Sequence, residues 1–315
     1  MNTSDELKAA YDVVVIGGGA AGLSGALMLG RSLRSVAVID AGQPRNAPAH
    51  AIHGLLGHEG TSPSEFLEKG RSEVRSYGVD VVSGEVIGAT GSQADGFEVR
   101  LADGRRTTAR RLLVTTGLVD TLPDVPGVAE RWGKDVLHCP YCHGHEVRDQ
   151  VIGVLATGPM ATHQAQMFRQ LSADVTLYSH AAGPDAEQRV GLVARGIPVV
   201  EAQVVGIEVT DGHMSGLHLS DGRTAPCQAL IVTTHMVARA GFLSELGLET
   251  ELHPSGFGDY LPADPVGKTR VPGVSAAGNI TEPMAQVGAS AAAGAMAGAM
   301  LNGDLIIEEV AAAIG

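Results

Sequence analysis

Two cysteines separated by two residues, in the run His138-Cys139-Pro140-Tyr141-Cys142-His143-Gly144-His145-Glu146, could do either of two kinds of chemistry. At this spacing the sulfurs reach disulfide distance, and one thiolate can be stabilised at the expense of the other, as reversible thiol–disulfide exchange requires. Alternatively, Cys139, Cys142, His143 and His145 could make a Cys2His2 zinc site. Structural zinc ligands usually come from two separated pairs, however, and Cys142, His143 and His145 fall within four residues, which crowds a tetrahedron. His138, His143 and His145 place imidazoles that titrate near neutral pH around the sulfurs in either case. The remaining cysteine, Cys227, stands between Pro226 and an apolar strand and is expected to be an inert buried thiol.

The elements that must position this pair begin with a nucleotide cradle. Asp12–Ile16 reads as a buried parallel strand that runs into Gly17-Gly18-Gly19-Ala20-Ala21-Gly22 and then a helix to about Gly30. In this G-x-G-x-x-G, Gly17 makes the tight turn, Gly19 admits a pyrophosphate to the backbone, and Gly22 lets helix and strand pack closely, with Ala20 and Ala21 opening the helix. A second strand, Ser35–Ile39, ends at Asp40, placed to accept hydrogen bonds from an adenosine ribose. Thr115-Thr116-Gly117, after the strand Arg111–Val114, reads as a crossover between domains.

A second β-α-β unit keeps the geometry of the first without its chemistry. The strand Val151–Leu155 leads to Ala156-Thr157-Gly158-Pro159, a helix over about 162–171, and the strand Asp174–Tyr178. Ala156 stands where the first glycine belongs, and Pro159 offers no N–H to a phosphate. No acid closes the second strand, and no arginine pair follows to grip a 2′-phosphate. The expected outcome is a retained scaffold without nicotinamide binding. Toward the C-terminus, Val271-Pro272-Gly273-Val274-Ser275-Ala276-Ala277-Gly278-Asn279 reads as a turn and short strand, followed by an Ala/Gly-rich helix from about Gln286 and Val287. The N–H groups at that helix start suit an electron-rich ligand edge.

Composition bounds the function classes. A chain of 315 residues calls for two domains. Its net charge of −13 and 3% aromatic content argue against a nucleic-acid partner, which needs a basic footprint and stacking platforms. No signal peptide is evident, and no uninterrupted apolar run is expected to reach membrane-spanning length; Val287–Leu301 comes nearest and reads as a buried helix packed against something flat. A reducing, cytoplasmic setting is expected, where a C-x-x-C is more often catalytic or metal-binding than structural.

The order of these motifs resembles the low-molecular-weight thioredoxin-reductase-like flavoproteins. The resemblance covers essentially the whole chain, and H-C-P-Y-C-H-G-H-E is most similar to the dithiol oxidases of gliotoxin and holomycin type. It implies an α/β fold of two Rossmann-like dinucleotide-binding domains, three-layered, the second inserted in the first. The FAD domain would hold 1–117 and 248–315, and the C-x-x-C domain 118–247. FAD would contact Gly17, Gly19, Ala20, Ala21, Gly22, Asp40, Thr116, Gly117, Gly278, Asn279, Gln286 and Val287. Arg45 and Asn46 lie in a loop that such folds bring over the flavin; loop structure and ligand contact stay open for them, as for His50 and His53.

The resemblance also implies roles. Cys139 would face a small-molecule dithiol substrate and Cys142 the flavin, with O2 as acceptor giving H2O2, no need for NADPH, and a homodimeric assembly. His138 is the first choice of general base and His143 the second. His143 replaces an acid of the reductases, Asn279 their FAD-binding Asp, and Ala285 an arginine. An NAD(P)H-dependent disulfide reductase and a non-enzymatic flavin redox sensor remain as alternatives.

Overall fold

Valine- and isoleucine-rich runs form the central strands of two sheets, one mixed and one parallel, in the computed structural model, which describes residues 5–315. In chain order come β1 (Ala10–Ile16), α1 (Ala20–Arg31), β2 (Val36–Asp40), α2 (Pro63–Ser76), β3 (Asp80–Ser83), β4 (Val86–Ser92), β5 (Gly96–Leu101), β6 (Arg106–Val114) and β7 (Leu118–Thr121). There follow α3 (Val128–Arg131), β8 (Val136–Leu137), α4 (Pro140–His143), β9 (Ile152–Leu155), α5 (Ala161–Phe168), β10 (Val175–Tyr178), α6 (Ala186–Ala194) and β11 (Val199–Val200). Strands β12 (Val204–Thr210), β13 (His213–Leu219), β14 (Thr224–Pro226), β15 (Ala229–Val232) and β16 (His235–Ala238) precede a 3-10 turn at Gly241–Leu246. The chain ends with β17 (Glu251–Leu252), β18 (Asp259–Tyr260), β19 (Val274–Ala276) and α7 (Val287–Ile314).

Two compact units emerge: the chain through Ala47 with Pro63–Val119 and Met236–Gly315, and Pro48–Ser62 with Asp120–His235. Two boundaries differ from the sequence expectation. The return to the first unit comes at Met236 rather than 248, because Met236, Ala238, Ala240, Leu243 and Leu248 are buried in that unit's core. Residues 48–62, expected with the FAD domain, belong to the second unit. Pro48 lies against Gly133, where a Cβ would sit 2.5 Å from the Pro48 Cβ.

The first unit's sheet runs β3-β2-β1-β6-β5-β4, with β19 also paired to β6. Alternation sorts β1 between two cores: Val14 and Ile16 join one, Val13 and Val15 the other, which contains α1, α2 and α7. Helices α1, α2 and α7 cover one face of the parallel strands, and the core on the other face includes residues of β4, β5 and the 3-10 turn. In the second unit, β11-β10-β9-β15-β8 form a parallel sheet, with α5 and α6 against one core and the β12-β13-β14 meander against the other. Cys227 is buried in the latter, as its neighbours implied.

Helix α7 corrects the expectation about apolar runs. It continues past Leu301 to Ile314 and, by length and composition, could cross a membrane. One stripe of it is packed, while Met296, Ile307 and Val310 are exposed. Ser290, Gly294, Ala297, Gly298, Leu301 and Leu305 are buried, and its last turns are tied to the sheet by charge. Glu308 accepts from Arg110 at 2.8 Å and from the fully buried Arg111 at 2.6 Å. Glu309, paired with Arg34 and Arg110, has its carboxyl pulled down to about 2.

Glycines let α7 lie against α1. A Cβ at Gly294 would fall 1.9 Å from the Ala21 carbonyl oxygen, and one at Gly298 2.6 Å from that of Gly25. Gly303 in the same helix faces open space. Gly294→Ala is therefore expected to destabilise the protein by about 1–3 kcal/mol through overpacking, whereas Gly303→Ala should be neutral or stabilising by up to about 1 kcal/mol. Urea unfolding of both variants checks this, and equal effects would contradict the packing.

Candidate active site

The first cradle is built from backbone groups that cannot tolerate side chains. Gly17 has φ +107°, and a Cβ there would sit 2.5 Å from the Thr115 carbonyl oxygen. One on Gly22 would sit 1.9 Å from the Gly17 carbonyl oxygen. The Thr115 hydroxyl donates to the carbonyls of Ile16 (3.1 Å) and Gly17 (2.8 Å), locking the turn. Gly19 differs: as the N-cap of α1 it is extended, with nothing within 4 Å of a built Cβ. That combination of tight turn, close helix packing and an open glycine at a helix N-terminus is what a pyrophosphate requires.

The other cofactor candidates in this unit gather around the cradle in part. Asp40 ends β2, and a Cβ on Gly18 would lie 2.8 Å from its side chain. Gly278, at φ +89°, abuts Ala21 and Ser290, and a Cβ on Gly117 would meet the Asn279 Oδ1 at 2.9 Å. Thr116 donates to the Arg239 carbonyl at 2.6 Å, which anchors the crossover. Gln286 is the N-cap of α7 and Val287 its first residue, and the Ser290 N–H donates to the Gln286 carbonyl at 2.9 Å. Arg45 and Asn46 are half-buried in a turn closed by the Ala47 N–H on the Pro44 carbonyl (3.0 Å). Arg239 Nη1 reaches the neighbouring Gln43 carbonyl at 3.0 Å. The cradle residues fit FAD; Arg45 and Asn46 lie further along the loop that leaves Asp40.

In the second unit, Cys139 and Cys142 are joined as a disulfide with Cα atoms 5.3 Å apart. Pro140 opens α4 at its first position, where the missing N–H costs nothing. Extended Cys139 caps the turn: its Sγ accepts from the Cys142 N–H at 3.2 Å, and its carbonyl accepts from His143 N at 3.2 Å. In the reduced pair that N–H would favour a Cys139 thiolate. A Cβ at Gly144 would sit 2.3 Å from the Pro140 carbonyl oxygen.

The two candidate bases sit differently. His138 stacks on Trp132 with ring centroids 5.5 Å apart. Its carbonyl accepts from Gln164 Nε2 at 3.2 Å, and Gln164 Oε1 in turn accepts from the Thr233 hydroxyl at 2.8 Å. His143 is half-buried, and burial holds its pKa below the usual histidine value; Glu146 raises it and His53 lowers it by charge. It is thus poised as a neutral imidazole, a form that can accept a thiol proton. His145 is exposed and Tyr141 is 72% exposed beside the disulfide. Trp132, Gln164 and Glu146 escaped the sequence reading; only the contacts reveal them.

The turn after β9 is tied to the loop that follows β10, while Gly158 faces open space. The Ala156 carbonyl accepts N–H groups from Ala181 (3.0 Å) and Ala182 (3.1 Å), and Ala156 is buried. Pro159 and Met160 precede α5.

A parallel-sheet cradle and a C-x-x-C disulfide define a disulfide oxidoreductase. The family model described as pyridine nucleotide-disulphide oxidoreductase matches residues 11–298, and the chain belongs to that family, whose members typically bind FAD. Within it the chain is thioredoxin-reductase-like, a flavin oxidoreductase with the thioredoxin reductase fold. It is 33% identical to thioredoxin reductase tcpT of Claviceps purpurea (strain 20.1), over 94% of this chain and 95% of that protein. It is 30% identical to thioredoxin reductase sirT of Leptosphaeria maculans, over 96% of each. The crystal structure of HlmI is similar with a TM-score of 0.91 and 43% identity, covering 99% of this chain and 98% of that one.

Two measurements test the site. Gly19→Val should leave the flavin-free fold intact, because the space is open, yet weaken FAD binding at least about tenfold, or 1.4 kcal/mol. Flavin absorbance of reconstituted protein, beside apo-protein melting, reads this, and undiminished flavin content would count against the cradle. Burial pushes the Cys227 thiol up to about 12. In reduced native protein at pH 8, iodoacetamide should label the C-x-x-C pair while Cys227 reacts only after unfolding; mass spectrometry of the alkylated peptides decides.

Proposed function

We propose that the protein is an FAD-dependent dithiol oxidase that closes a disulfide within a small-molecule dithiol. The observation that carries this reading is the C-x-x-C disulfide set beside a half-buried histidine held neutral, where the resemblance puts an acid in reductases. A dithiol must lose two protons as it loses two electrons, so the oxidising direction needs a base. The second cradle supports the same direction, since Ala156 stands in the first glycine's place and Pro159 offers no N–H to a phosphate.

The residues divide the work as follows. A substrate thiol gives its proton to His143 or His138, and the thiolate attacks Cys139 Sγ. The Cys139–Cys142 bond breaks, Cys142 leaves as a thiolate, and a mixed disulfide remains on Cys139. The substrate's second thiol, deprotonated in turn, attacks the substrate sulfur of that mixed disulfide. A cyclic disulfide departs, and Cys139 is released as a thiolate steadied by the Cys142 N–H. The Cys pair now holds the two electrons. Gly17, Gly19, Gly22, Asp40, Asn279 and the start of α7 would hold FAD, which when bound would supply a two-electron acceptor for the Cys pair, with O2 as the final acceptor giving H2O2.

A second reading, an NAD(P)H-dependent disulfide reductase, is favoured by the family model and by the names of the fungal relatives. Anaerobic mixing of the flavin-loaded protein with dithiothreitol, NADH or NADPH separates the two. The oxidase reading expects flavin bleaching by dithiol and not by either nucleotide, with one H2O2 per disulfide once air is admitted. Rapid bleaching by NADPH would overturn it. Cys139→Ser and Cys142→Ser should each lower dithiol turnover by at least about 10³-fold, since the covalent route is lost.

A further inference from the structure

Strands β8 and β15 run parallel with Leu137 opposite Ile231, and both chains leave the sheet just beyond that pair, toward His138 and Thr233. The backbone ladder stops there, and a side chain takes over. Gln164 Nε2 donates to the His138 carbonyl at 3.2 Å, while its Oε1 accepts from the Thr233 hydroxyl at 2.8 Å. The Thr157 hydroxyl, from the turn after β9, donates to the Thr233 carbonyl at 3.4 Å. Helix α5 brings Gln164 to this place because Ala161, Ala165 and Phe168 are buried in the same core as Leu137 and Ile231. An acceptor at one end and a donor at the other give the amide a single orientation.

The His138 carbonyl and the Cys139 nitrogen belong to one peptide plane. A side chain that holds the carbonyl therefore holds the plane from which Cys139 departs. Cys139 leaves it extended, at φ −103° and ψ 117°, with its Sγ 3.2 Å from the Cys142 nitrogen and its carbonyl 3.2 Å from His143 N. The His138 ring meets Trp132 with centroids 5.5 Å apart, so ring and carbonyl are each engaged.

We infer that Gln164 is a positioning residue for the redox pair: by fixing the His138–Cys139 peptide it keeps the Cys139 sulfur on the Cys142 N–H, where the thiolate released at the end of turnover is stabilised. Thr233 orients the amide. The inference deepens the dithiol-oxidase reading and rests on its assignment of Cys139 as the sulfur that the substrate attacks. Gln164, Thr233 and Thr157 are all uncharged, so the bridge keeps its form across the pH range in which thiols titrate.

Two readouts in flavin-loaded protein test it, and the first needs no substrate. A Cys142→Ser background keeps the backbone N–H at 142 and leaves Cys139 as the accessible thiol, Cys227 being buried. The rate of iodoacetamide alkylation against pH then reports the Cys139 thiolate. Gln164→Leu, which makes neither bond, should lower that rate at pH 7 about two- to tenfold and move the profile to higher pH, the scale of one net hydrogen bond. Thr233→Val should shift the profile in the same direction, and Thr233→Ser should restore it. Gln164→Leu combined with Thr233→Val should be no worse than Gln164→Leu alone, since both act through one contact. Where Gln164→Leu does not fold, the two Thr233 variants decide by themselves.

The second readout is anaerobic bleaching of the flavin by dithiothreitol with both cysteines present, which should slow by a similar factor. An unmoved alkylation profile overturns the positioning role, whatever the variants do to melting temperature. A moved profile in a protein whose unsubstituted form is not bleached by dithiothreitol leaves the positioning of Cys139 standing and removes the dithiol-oxidase reading.

Discussion

Backbone touching backbone is the constraint on which the first unit depends. Gly22 lies so close to the Gly17 carbonyl, and Gly294 so close to the Ala21 carbonyl, that neither position can carry a Cβ without displacing main chain. The first contact fixes where α1 leaves β1. The second fixes how α7 lies on α1, with the pairs Ala21–Gly294 and Gly25–Gly298 advancing together along both helices. The two helix N-termini therefore open toward the same end of the sheet, where β1, β6 and β19 also end. Partial positive charge and free N–H groups accumulate there without any basic side chain. A strongly acidic protein can in this way offer a site for a doubly charged pyrophosphate.

The second unit repeats the architecture and drops this constraint. Its β9 ends at Leu155 and meets Ala156, whose carbonyl is taken by the returning loop at Ala181 and Ala182. The parallel sheet needs only its two apolar faces to be covered, which α5, α6 and the β12–β14 meander do. Fold and cradle are thus separable: burial maintains the sheet, while a handful of glycines maintains the ligand site. Loss of the glycine costs the scaffold nothing and leaves the unit to present the C-x-x-C turn, anchored through Gln164 between Thr233 and the His138 carbonyl.

What was legible in the sequence was local. The tight turn at Gly17, the close packing at Gly22, the position of Asp40 at the end of β2 and the burial of Cys227 each follow from a few adjacent residues, and the structure places them so. What was illegible depends on partners far along the chain. The strand expected to begin at Arg111 begins earlier, at Arg106, and Arg111 lies wholly buried within β6, where Glu308 pairs with it from 197 residues away. The same ion pairs explain why α7 runs on past Leu301 through Asp304, Glu308 and Glu309. Residues 48–62 have no periodic pattern to betray their destination, and only Pro48 on Gly133 and His53 on Glu146 assign them to the second unit.

Those distant partners bear on the direction of the chemistry. A carboxylate next to a thiol pair would hold a proton tightly only at low pH and would repel a thiolate at neutral pH. A half-buried imidazole does neither: burial keeps it neutral, so it accepts a proton without first opposing the thiolate it helps to form. Once protonated it becomes a cation beside the sulfurs, which lowers the energy of whichever thiolate is departing. Replacing an acid by His143 therefore changes more than one contact. A neutral imidazole there can collect a proton from an arriving thiol without a standing negative charge beside the sulfurs, which is the role the dithiol-oxidase proposal gives it.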